Sequence, residues 1–206
     1  MGQWAELMQD WPADADIGYN IAPTQIIPVF TAEQGKAMRW GMVPPWSREA
    51  GSRYATFNAR SESVADKPAF RHAWENSQTC LVPALGYYEW KGEKGNKQPY
   101  FIRPQNDEPV VMAGLWEHWT SQQQSLYSCT IITQPSGGKL ADLHSRMPVM
   151  LELDQAEQWL NDGVAVFDLL LQEQNTEGLI FYPVDKAVNK STNEGETLIH
   201  KVDSVA

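Results

Sequence analysis

Nine strand-like runs in 206 residues, with no linker between any two of them, leave few folds open to this chain. They fall at 25–30, 36–43, 79–83, 86–91, 98–103, 110–117, 125–133, 147–151 and 179–184. These runs are short, apolar and rich in β-branched and aromatic residues, the composition of pleated, covered surface. The polar, glycine-rich Gly92-Glu93-Lys94-Gly95-Asn96 joins two of them, so 86–103 reads as a hairpin. Helical patterning is confined to 3–11 (stopped by Trp11-Pro12), part of 62–76, 154–161 and 164–174. Asp154 with Glu157 three residues later predicts an N-cap. Strands in succession with helices between and after them predict an α+β fold with a mostly antiparallel, barrel-like sheet core flanked by helices. There is no repeat and no low-complexity segment, and a 42% hydrophobic content suits one domain over 1–206.

Composition narrows the function classes. No run approaches 18 apolar residues, so no membrane span is expected. The opening Met1-Gly2-Gln3-Trp4-Ala5-Glu6 lacks the basic-then-apolar pattern of an export signal, which places the expectation in the cytoplasm. Cys80 and Cys129 both lie in apolar strand-like runs and read as buried free thiols. The four histidines are scattered and no CxxC occurs, so neither a metal nor a cofactor is expected. The net charge of −10 argues against nucleic acid, but its distribution does not. Residues 36–103 hold 11 Lys and Arg against 6 Asp and Glu, while the rest holds 5 against 20. A locally basic stretch can follow a phosphate backbone on an acidic protein. The alternative is a chance clustering of surface charge.

Polar residues with chemical potential sit between the strands. Glu89 lies in the bulky run Gly86-Tyr87-Tyr88-Glu89-Trp90, where desolvation would raise its pKa toward the range useful for proton transfer. Alternation equally allows Glu89 a place on the solvent face with Tyr87. Asn20 stands in Tyr-Asn-Ile-Ala-Pro, Asn58 and Arg60 in Phe-Asn-Ala-Arg-Ser-Glu, and His144 and Arg146 in Leu-His-Ser-Arg-Met-Pro. Trp46 ends the proline-stiffened Trp40-Gly41-Met42-Val43-Pro44-Pro45-Trp46. Each has an ordinary reading: the Asn residues as turn-formers, His144 as structural, Trp46 as core. Together they describe a Glu and a His that share a proton, an Asn and two Arg that hold an anionic ligand, and a Trp that stacks a base.

Five of these motifs, in this order over residues 19–148, resemble the SOS response-associated peptidase family of abasic-site-processing proteins. They are Tyr-Asn-Ile-Ala-Pro-Thr, Trp-Gly-Met-Val-Pro-Pro-Trp, Asn-Ala-Arg-Ser-Glu, Gly-Tyr-Tyr-Glu-Trp and Leu-His-Ser-Arg-Met-Pro. The resemblance implies binding of single-stranded DNA and reaction with the aldehyde of an abasic site. In such a reaction the α-amine of an N-terminal Cys forms a Schiff base and its thiol closes a thiazolidine, leaving a DNA–protein crosslink. Carried over by motif, Glu89 and His144 are the acid–base pair and Asn58 stands beside the reacting sugar. Asn20, Pro23, Trp46, Arg60, Thr133 and Arg146 line the DNA path. A monomer whose partner is single-stranded DNA with abasic sites is expected.

The amino terminus departs from the pattern. The family opens Met-Cys-Gly-Arg, whereas this chain opens Met-Gly-Gln-Trp. Either the N-terminal strand with its Cys lies upstream, which is the expectation here, or this is a shortened, catalytically impaired member. The chain as it stands is expected to bind DNA without forming the thiazolidine. Cys80 and Cys129 carry no α-amine and cannot replace it. Two rival classes stand beside this reading. One is a peptidase-type hydrolase acting on its own leader, against which no activated Ser or Cys motif is found. The other is a non-catalytic single-strand-binding module.

Overall fold

The structure is a computed structural model that describes residues 4–51, 55–172 and 174–203. In chain order its strands are β1 (Ile26–Phe30), β2 (Gly35–Trp40), β3 (Asn58–Arg60), β4 (Thr79–Ala84), β5 (Tyr87–Lys91), β6 (Gln98–Pro104), β7 (Val110–Thr120), β8 (Ser125–Pro135), β9 (Arg146–Pro148) and β10 (Leu179–Pro183). The α-helices are α1 (Pro68–Glu75), α2 (Leu153–Asp162) and α3 (Phe167–Gln172).

β2, β1, β4, β7 and β8 follow one another as neighbours, and β2 then pairs with β8 to close the ring. The closing contact is parallel, Arg39 opposite Ser128 and Trp40 opposite Cys129, while the other four junctions are antiparallel. Closure leaves the ring without a free edge. Side chains from all five strands meet inside it, including Val29, Met38, Cys80, Met112 and Cys129. The outward faces of β4 and β7 carry Leu81, Val111, Ala113 and Leu115, which pack under the helices against Phe70, Trp159, Phe167 and Leu170. A buried Glu117 carboxylate ties β7 to α1 through His72 Nδ1 at 2.7 Å.

A second sheet, β10-β6-β5, is antiparallel throughout. One of its faces carries Tyr87, Tyr100, Ile102 and Phe181 and packs on Leu140, Leu143 and Met147 beside the barrel. The other carries Tyr88, Trp90, Phe101 and Tyr182 and is covered by Val184, Val188 and Ile199.

Apart from β3, which the pattern does not predict, the strands sit close to where alternation places them, with five informative differences. Residues 4–8 form turns with a single helical bond, Met8 N–H to Trp4 O, in place of a helix. Such a short stretch does not offset the cost of helix nucleation; Gln3 lies outside the described residues. β2 stops at Trp40 because Gly41 turns the chain at φ 130°. Within 62–76 only Pro68–Glu75 is helical, since Pro68 starts the helix and holds Lys67 extended at ψ 126°. α2 is capped by Glu152, not Asp154, through a reciprocal box with Gln155. The stretch 164–172 begins as a 3-10 turn before α3, and Glu173 lies outside the described residues.

Candidate active site

β5 alternates as its sequence requires, with Tyr88 and Trp90 on one face and Tyr87 and Glu89 on the other. The Glu89 face is not the solvent face. It turns toward the segment after the 3-10 helix Gly138–Asp142, which brings His144 over it. His144 Nδ1 stands 3.2 Å from Glu89 Oε1, with the Glu side chain 21% exposed and the His side chain 39% exposed. Burial pushes the Glu89 carboxyl above the usual carboxylate range, while the nearby His144 and Lys97 charges work the other way. The neighbouring Tyr87 hydroxyl is also pushed up, first by burial and then by the Glu89 charge.

His144 Nδ1 is held by more than Glu89. The Arg146 carbonyl oxygen lies 3.0 Å away and the Arg146 amide nitrogen 3.2 Å away. A protonated Nδ1 faces two oxygens, and a deprotonated one faces an amide donor. The setting therefore serves both states of the ring, as a proton carrier requires.

Arg146 extends the site across the barrel rim. Its Nη2 donates to Thr133 O at 2.6 Å and lies 3.3 Å from Thr133 Oγ1. Its guanidinium also forks onto Glu62, with Nη2 to Oε2 at 2.9 Å and Nη1 to Oε1. That fork holds the Glu62 carboxyl down to about 2. The β3–β8 register sets Arg60 beside Thr133 and Asn58 beside Ile131, and both Asn58 and Arg60 are exposed. Contacts thus run from Glu89 through His144 and Arg146 to Thr133, and the pairing of β3 on β8 sets Arg60 and Asn58 alongside.

Pro23 joins from the other side. It is exposed on a turn whose next residue, Thr24, donates its N–H to Trp40 O at 2.7 Å. Trp40 in turn reaches Phe57 O, immediately before Asn58, through its Nε1 at 2.9 Å.

Asn20 and Trp46 stand apart from this line. Asn20 is buried, and its Nδ2 faces the carbonyls of Val188, Lys190 and Asn193 at 3.1–3.2 Å. That ties its loop to the C-terminal segment behind β5, where Tyr88 OH also donates to Tyr19 O. Trp46 is 58% exposed at the start of α1, with its Nε1 on Pro68 O at 3.3 Å. The buried Met42 and Val43 anchor its turn, Val43 N–H donating to Ser128 Oγ at 2.9 Å.

Several of the cations in the basic stretch are engaged elsewhere. Lys36 lies over the Tyr127 ring, Arg71 donates to Asp66 O and Arg103 pairs with Asp107. Arg53 lies outside the described residues. Glu62 was not singled out from the sequence, although it ends the same Asn-Ala-Arg-Ser-Glu string as Asn58 and Arg60.

Comparison with known proteins gives the family and the fold. The profile described as SOS response associated peptidase (SRAP) matches residues 3–191. The chain belongs to the SRAP family. Similar members include the abasic site processing protein YoaM of Bacillus subtilis, 35% identical over 190 residues, 88% of this chain and 83% of YoaM. The abasic site processing protein HMCES of Mus musculus is 35% identical over 188 residues, 76% of this chain and 53% of HMCES. The SRAP chain also shares its fold with a crystal structure from Bordetella bronchiseptica, with a TM-score of 0.80 at 24% identity over 89% of this chain and 94% of that one. A second, from Bacteroides thetaiotaomicron, gives a TM-score of 0.80 at 26% identity over 92% of this chain and 88% of that one.

Proposed function

We propose that the face from Asn58 to Glu89 binds single-stranded DNA and processes abasic sites in it, with Glu89 and His144 moving the protons. The observation that carries this reading is the 3.2 Å approach of Glu89 to His144, with the Glu89 carboxyl pushed up by burial, at the end of a surface that carries Arg60 and Arg146. Names of relatives in the SRAP family support the abasic substrate.

The chemistry follows from the groups present. An abasic sugar opens to an aldehyde, and a neutral amine adds to it to give a carbinolamine. Loss of water from that adduct needs an acid, and a carboxyl whose pKa burial raises is the group placed to supply the proton. His144, with Nδ1 toward Glu89 and the Arg146 backbone, hands protons between the reacting oxygen and Glu89. Asn58, exposed on β3, offers an amide to the sugar hydroxyls. Arg60 and Arg146 hold phosphates, Thr133 and Pro23 shape the path, and Trp46 stacks a base further along it. Asn20 supports the path by fastening the loop that leads to Pro23.

The nucleophile in this reading is an α-amine with an adjacent thiol, as an N-terminal Cys provides. Cys80 and Cys129 do not take this part. Both are wholly buried inside the barrel, and burial pushes the Cys129 thiol up to about 12 and that of Cys80 well up.

The test places a Met-Cys-Gly-Arg leader ahead of the chain, removes the initiator Met so that Cys is first, and mixes the protein with abasic single strands, intact single strands and duplex. The expected result is a denaturation-resistant band with the abasic single strand alone, and salt-sensitive binding of the intact one. A simple binding module gives no such band. Equal, salt-insensitive affinity for duplex and single strand contradicts the reading.

A further inference from the structure

Arg146 follows His144 on the line of contacts from Glu89, yet in the structure its fork is already filled. Glu62 presents both carboxylate oxygens to Nη1 and Nη2. This is the two-point geometry a phosphate would use. The two partners are placed differently. Arg146 has a side chain only 19% exposed and is fixed independently by Thr133 O and Oγ1. Glu62 is 51% exposed, in the turn that follows β3, and beyond Arg146 its side chain touches Ser61 Oγ. Removing Glu62 would leave Arg146 where it is. Removing Arg146 would leave Glu62 in water.

We propose that Glu62 is a built-in competitor for phosphate: it occupies the Arg146 fork in the free protein and is displaced when a strand's phosphate enters. The inference rests on the reading of this face as a single-strand path and adds a regulatory element to it. The Arg146 charge stays neutralised until a polyanion offers several phosphates together. Lone anions are then turned away, while a strand held also at Arg60 gains local concentration enough to displace the carboxylate. Because the exchange swaps one anion for another, Arg146 contributes little to the salt dependence of the parent protein.

The test is a binding cycle on an intact single strand, with parent, Glu62→Gln, Arg146→Gln and the double variant, across a range of salt. Glu62→Gln is expected to bind roughly 2- to 5-fold tighter, the strength of an exposed ion pair, and with a salt slope steeper by about 0.7. In the Arg146→Gln background the Glu62→Gln change is expected to have almost no effect, which separates release of the fork from loss of a negative charge. If Glu62→Gln binds equally or more weakly while the parent binds normally, the path stands and the inference is overturned, since Glu62 then positions Arg146. An equal gain in both backgrounds also overturns it. If neither the parent nor Glu62→Gln binds a single strand, the reading of the face fails and the inference falls with it.

Discussion

Glu89 is a carboxylate kept where its charge is costly, among Tyr87, Tyr100 and the His144 segment. His144 and Lys97 offset that cost in part, and burial still raises its pKa. The consequence for stability has a definite sign. Below the unfolded pKa both states hold the proton and Glu89 costs nothing. As pH rises toward the raised folded value, the folded state holds more protons than the unfolded one, so stability falls. Glu89→Gln is therefore expected to have a higher Tm than the parent at pH 7, with the gap closing toward about pH 4. Thermal unfolding at a series of pH values checks this, and a variant less stable at pH 7 would place Glu89 in a structural role. Glu62 has the opposite sign: its depressed pKa gives stability that is present above the ordinary carboxylate value and is lost as pH falls toward about 2. That contribution is small, about 0–1 kcal/mol, because the pair is half-exposed.

At the scale of elements, the β5–β6 hairpin delivers Glu89, and its entry is tight. A Cβ on Gly86 would lie 2.3 Å from Ile102 O and 2.6 Å from Phe101 Cζ. Gly86→Ala is expected to destabilise the protein by about 1–3 kcal/mol and to shift β5 off β6, which a denaturation midpoint and the loss of crosslinking would both report. This hairpin was legible in the sequence because alternation, aromatic content and the Gly92–Asn96 link all agree. The side of β5 that Glu89 faces was not, since alternation groups Glu89 with Tyr87 without saying which face another segment covers. β3 was missed for a related reason. Three residues, two of them polar, carry no periodic signal, and their strand conformation comes from the edge that β8 offers. Asn20 shows the same limit, for an Asn facing three carbonyls of residues 188–193 looks in sequence like any loop Asn.

At the scale of the whole molecule, β8 is what makes a site of residues so far apart in the chain. The β8 strand pairs β2 and β3 in parallel and carries β9, so 58–60, 133 and 144–146 converge on one rim. The second sheet then brings 89 to that rim through the Leu140, Leu143 and Met147 cluster. Strand alternation made most of the sheet legible in the sequence, while the pairing of Glu62 with Arg146 depended on β3 and β9 meeting along β8 and was visible only in three dimensions. The central claim is that Glu89 supplies the proton at an abasic site. The most direct measurement is the rate of crosslinking to an abasic single strand by the Cys-led protein and its Glu89→Gln variant. The account predicts a rate lower by roughly 10²-fold or more with unchanged binding to an intact strand. A Gln variant that crosslinks at the parent rate between about pH 6 and 8 would contradict it.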